Sequence, residues 1–126
     1  MGNFDFTEGE KRKWIQFDSD SEVEIKLITK QELREIVKTA AKRAKLTGED
    51  QADIADRLLG RAAVKWWRKV GQPDHPGLLA NGEPLPFTLE NIDRLMTKSL
   101  KFSRFINETC IDEDEFAEGV DVSKNG

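Results

Sequence analysis

The 126-residue chain offers few groups able to do covalent chemistry. Its single histidine, His75, lies between Asp74 and Pro76, and its single cysteine, Cys110, is far along the chain. A histidine acting as a general base or metal ligand needs carboxylate or thiol companions, and no metal-site spacing relates His75 to Cys110, so a loop role is expected. The carboxylate pairs Asp18 with Asp20 and Asp112 with Asp114 sit in segments too polar to raise a carboxyl pKa by burial. Turns and caps are their expected duty. Gly71, Gly77 and Gly82 are irregularly spaced, and none follows a buried strand and opens a helix, so they make no phosphate loop. The expectation is a non-enzymatic protein with no metal and no cofactor.

The residues with most to offer are aromatic. Trp66 and Trp67 are adjacent and interleaved with Arg61, Lys65, Arg68 and Lys69. Basic groups beside aromatic rings suit a stacking platform for single-stranded nucleic acid. A partly exposed tryptophan flanked by arginine also suits a protein-binding hot spot. The structural alternative places one indole in the core and the other at its margin, under lysine and arginine stems. A net charge of -4 and a pI near 5.1 argue against a generic nucleic-acid binder, so a nucleic-acid partner is not expected. The candidate partner-binding set is Trp66, Trp67, Arg68, Leu78, Leu79 and Phe87. On this reading Trp67→Ala weakens binding and leaves the fold largely intact.

The elements that position this set follow from periodicity. Trp14, Ile15 and Phe17 precede the turn-prone DSDS at 18–21, and Val23, Ile25 and Leu27 alternate with polar residues, which predicts an N-terminal β-hairpin. Thr29 with Glu32 is a capping-box pattern, followed by Leu33, Ile36, Val37, Ala40, Ala41 and Ala44 at helical spacing. Gly48 is the expected C-cap and Asp50 the next N-cap. Ile54, Leu58, Ala62 and Trp66, widened by Leu59, Ala63, Trp67 and Val70, predict a second helix ending at Gly71 before Pro73. The loop 72–87 holds all four prolines and an Asn81-Gly82 turn, the residue pair favoured in two-residue hairpins. Thr88 caps a helix carrying Leu89, Ile92, Leu95 and Met96, with Phe87 and Ile92 placed as a hydrophobic staple. Leu100, Phe102, Phe105 and Ile106 continue it either as a bend or as a second helix, and the acidic IDEDEFAE stretch can open one more helical turn.

The expected fold is mainly α within an α+β class: a small three-to-four-helix bundle packed around Trp66 or Trp67, with the hairpin laid on it. Residues 1–13 are expected to be a flexible arm, 14–118 a single globular domain and 119–126 a disordered tail. No signal peptide and no apolar run long enough to span a bilayer is present, and one cysteine forms no internal disulfide, so the cytoplasm is the expected compartment.

The order of parts is also familiar. A WIQF to VEIKLI hairpin, a helix opened by TKQELREI, an AAVKWW helix end, then NGEPLPFTLENIDRLM and a helix with spaced aromatics resembles the tail assembly chaperones of tailed phages and prophages, over roughly Trp14 to Phe116. The resemblance implies a factor that binds the tape measure or tail tube protein in the bacterial host cytoplasm and keeps long hydrophobic helices soluble until the tube polymerises. The chain departs from the commonest form in having Trp67-Arg68 where a Trp-Gly pair is usual, and in its longer QPDHPGLLANGE loop. The alternatives are a structural component of the virion, such as a tail or head-tail joining protein, and a small nucleic-acid-binding regulator.

Overall fold

The computed structural model describes residues 10–117, so residues 1–9 of the expected arm and the whole of the expected tail lie outside the described residues, while Arg12 and Lys13, expected in the arm, belong to the first strand. Strands β1 (Arg12–Gln16) and β2 (Ser21–Lys26) form the expected antiparallel hairpin, with Ile15 opposite Val23 and Trp14 opposite Glu24. Its turn is held by Asp18, whose Oδ1 accepts from the amides of Asp20 and Ser21 and from the Ser21 hydroxyl at 2.7–2.9 Å. Burial pushes the Asp18 carboxyl up, but these donors outweigh it and leave it below its ordinary value.

Helix α1 (Lys30–Thr47) begins at the predicted capping box: Thr29 Oγ1 accepts from the Glu32 amide, and Glu32 Oε1 accepts from the Thr29 amide. The second Glu32 oxygen pairs with Lys26 at the end of β2, tying the sheet to the start of the helix. Gly48 closes α1 in the left-handed region, φ 79°, and Asp50 caps α2 (Gln51–Ala63). The apolar stripe of α1 is less buried than its periodicity implies. Ala40 is its one fully buried member, whereas Val37 is 52% exposed and Leu33 sits at the exposed margin.

The second helix ends eight residues before Gly71. Val64 turns to an extended backbone, φ -87° and ψ 118°, and residues Val64–Lys69 form strand β3, antiparallel to β2 on the side away from β1. The tryptophans are therefore on a strand and not on a helix. The spacing from Ile54 to Trp66 continued a helical period, but a β-branched valine followed by two indoles fits a pleated, half-buried surface, and pairing with β2 supplies the partner. The molecule is a mixed α+β domain in which helices cover one face of a three-stranded sheet, and not a hairpin laid on a bundle around helical tryptophans.

The loop carries a miniature ribbon, β4 (Leu79–Ala80) and β5 (Glu83–Pro84), turned by Asn81 and Gly82 at φ 53° and 81°. Thr88 caps α3 (Leu89–Lys98), and Ser99 both ends α3 and caps α4 (Leu100–Thr109), so the pattern after Thr97 is a second helix. A further helical turn covers 113–117, after Asp112 caps it through the amides of Asp114 and Glu115. Val23, Ile25 and Trp67 of the sheet pack with Leu59 and Ala63 of α2, Ile92 and Met96 of α3, and Phe102 and Ile106 of α4. Cys110 belongs to this core, and burial pushes its thiol up to about 11, which leaves it an unreactive packing group. Gly60 lets α2 and α3 approach closely: a Cβ there would lie 2.4 Å from Met96 Cγ. No helix among the described residues is long and apolar enough to cross a membrane.

Candidate functional site

Side chains alternate across a strand, so the register that buries Val23, Ile25 and Trp67 sends another set to the open face. Trp14 faces Glu24, Glu24 faces Trp66, and Glu22 faces Arg68. Adjacent tryptophans in a strand cannot share an environment. Trp67 is 1% exposed and Trp66 is 47% exposed.

The aromatic groups form a continuous stack from core to surface. Phe87 lies 4.8 Å from both indoles, edge-on to Trp67 and tilted against Trp66, and Trp67 in turn meets Phe102 edge-on at 6.3 Å. Trp67 Nε1 donates to the Leu85 carbonyl at 2.9 Å, which fixes the loop against β3 and satisfies the one polar atom of the buried ring. The exposed indole is thus held by a buried one through Phe87.

The two arginines of the open face are engaged before any partner arrives. Arg68 Nε donates to Glu22 Oε1 at 2.8 Å, and its guanidinium lies 3.6 Å from the centroid of the Trp14 ring. Arg12 sits 2.7 Å from Glu10 and 3.9 Å from Glu24. These half-exposed pairs contribute little to stability, about 0–1 kcal/mol each, but they orient the rings. The face offers two indoles set among internally paired charges.

The sequence-derived set divides. Trp66 and Leu79 are exposed, Arg68 and Phe87 are half-buried, and Trp67 and Leu78 are in the core. Trp67 therefore supports the site from beneath and is no contact residue, and Trp67→Ala attacks the fold. Leu78 is buried because its segment is drawn against β3: Leu78 O accepts from the Leu85 amide, and Gly77 sits so close to the strand that a Cβ would lie 2.5 Å from Arg68 O. Trp14 was not in the set, although the alternation that predicted the hairpin also puts it on the face of Glu24; only the third strand reveals what it meets. The basic patch is also dispersed. Arg61 lies on α2 and makes a bidentate pair with Asp93 of α3 at 2.6–2.9 Å, which raises its pKa, and Arg68 is committed to Glu22 and Trp14. His75 serves its loop, Nδ1 accepting from the Gly77 amide at 2.9 Å and its carbonyl from the Lys69 amide at 2.7 Å. Among the described residues no group of three histidine, cysteine or acidic side chains converges as a metal site would require.

Comparison with protein-family models, with curated proteins and with solved structures finds no match to this chain.

Proposed function

We propose that the protein is a non-enzymatic binding factor that docks a partner polypeptide on the open face of its sheet, with Trp66 as the anchor. The observation carrying this reading is a half-exposed indole held on Phe87, itself packed on the buried Trp67, and rimmed by an arginine already paired with Glu22. A rigid aromatic group with a polar rim is the anatomy of an interface hot spot. The partner we infer is the tape measure protein of a phage tail, with the tail tube protein as a second client, and the site of action the bacterial host cytoplasm. The motif resemblance alone supports that choice. A structural role in the virion would use the same face, and the presence of the protein in purified particles distinguishes it. A nucleic-acid regulator has less support, because Trp67 is buried and Arg61 and Arg68 are occupied by Asp93 and Glu22.

The test is co-expression with a phage tape measure protein, followed by size exclusion. Exposing half of an indole leaves on the order of 100 Å² for a partner to cover, worth about 2 kcal/mol or roughly 30-fold in affinity. Trp66→Ala should therefore weaken the complex by roughly that factor without unfolding the protein. Separate elution of the wild-type pair removes the chaperone assignment, and a complex that Trp66→Ala leaves unchanged removes the open face as the site.

A further inference from the structure

A second feature lies on other elements. Arg43 of α1 and Arg57 and Arg61 of α2 line one cleft of about 140 Å³, closed by Asp93 of α3 and walled by Ile54 and Leu58. Asp93 holds Arg61 at 2.6 Å, and Glu49, itself 51% exposed, meets Arg57 in a single contact at 3.2 Å. The Arg43 side chain has neither a hydrogen bond nor an ion pair among the described residues. Three guanidinium groups thus meet two carboxylates, leaving one unmatched positive charge in a chain whose net charge is -4.

We propose that this cleft is a carboxylate-binding site that receives a glutamate side chain of a partner polypeptide, with Arg43 as the receiving group. The volume decides the size of the occupant. At about 30 Å³ per water it holds a few solvent molecules or one side chain, and it falls well short of the roughly 300 Å³ at which small-molecule pockets begin. The charge decides the kind. One unmatched guanidinium balances one carboxylate, and the guanidinium fork fits its two oxygens; a phosphoryl group brings nearly two charges. The wall fits as well, since the half-buried Leu58 can cover the methylenes behind a glutamate carboxylate. This site does not depend on the Trp66 face, and each can fail alone.

The test uses the full chain, isotope-labelled for NMR, titrated with N-acetyl-leucyl-glutamate amide as the probe. The expected result is a saturable shift of the Arg43 Nε–H and Leu58 methyl signals, absent with the glutamine counterpart and unchanged in Trp66→Ala. Arg43→Ala, at an exposed helix position, should keep the melting temperature and weaken the probe about tenfold, the scale of one charge-assisted bond, with Arg43→Lys intermediate. Unsaturable shifts spread evenly over surface arginines such as Arg104 would overturn the proposal, as would equal binding by Arg43→Ala. Saturation by inorganic phosphate at lower concentration than by the dipeptide would overturn the carboxylate assignment.

Discussion

Replacing each of the two tryptophans in turn separates the core from the surface. Trp67 is 1% exposed, donates to the Leu85 carbonyl at 2.9 Å and packs against Phe87 and Phe102. Truncating a buried aromatic to alanine costs about 3–5 kcal/mol, and here it also strands the Leu85 carbonyl, so about 4 kcal/mol is a conservative figure. A domain of this size has about 5–15 kcal/mol in total. With a urea m-value of about 1.5 kcal/mol/M, the Trp67→Ala midpoint should fall by roughly 2.5 M. Trp66→Ala removes a half-exposed ring whose neighbour is Phe87, about 1 kcal/mol or less, and should move the midpoint by under about 0.7 M. Trp67→Phe restores the ring but not the N–H, and should lie between the two, at about 1–3 kcal/mol. The assay is urea unfolding followed by far-UV circular dichroism, which does not depend on tryptophan emission. Equal shifts for the two alanine variants, or a larger one for Trp66→Ala, would refute the alternation that assigns Trp67 to the core.

Two further perturbations probe the supports of the site. Gly77 holds φ +83° with Arg68 O 2.5 Å from where a Cβ would sit, so Gly77→Ala should destabilise by about 2 kcal/mol or more in the same unfolding assay and loosen the loop, read as faster amide exchange at Leu85 and Lys69. Asp56 has its carboxyl raised by burial, partly offset by Asn107 and reinforced by Asp53 and Asp50. A raised folded pKa means that protonation favours the folded state: the contribution is fully present below the unfolded pKa and is lost as pH rises through the folded one. Asp56→Asn should therefore raise the melting temperature at pH 7, with the advantage shrinking as the pH is lowered into the carboxylate range.

What the sequence disclosed was local. Thr29, Asp50 and Thr88 cap helices because their side-chain oxygens meet amides a few residues on; Gly48, Asn81 and Gly82 are where the backbone enters the left-handed region. Such signals involve neighbours in the chain, so they survive without knowledge of the fold. The hairpin is equally local. The third strand is not: it forms because Val64–Lys69 finds β2 some 40 residues earlier, and Trp66 continues a helical spacing from Ile54 by coincidence. That error carried into the site. On a helix the two indoles would be about 100° apart and could both touch a partner, whereas on a strand they point to opposite faces. The α1 stripe went the other way, since periodicity reports which residues share a face and not whether anything covers it; Val37 has no such cover.

The same geometry predicts how partner binding responds to salt. On the open face Arg68 is held by Glu22 and Trp14, and Arg12 lies between Glu10 and Glu24, so a partner settling on Trp66 meets two arginines that are already engaged. Binding there is chiefly burial of apolar surface, which salt screens little. Between 50 and 200 mM salt the affinity of the Trp66-dependent complex should change by less than about threefold, because surface pairs already satisfied contribute little to it. A ligand held by phosphate contacts behaves differently: six to ten of them lose about 10³–10⁵ in affinity over that interval. A complex that depends on Trp66 yet collapses steeply with salt would show that the indole acts beside an unpaired cation. The paired charges around it would then have to be rearranged in the bound state, and the reading of a preassembled face would fail even though the residue was rightly chosen.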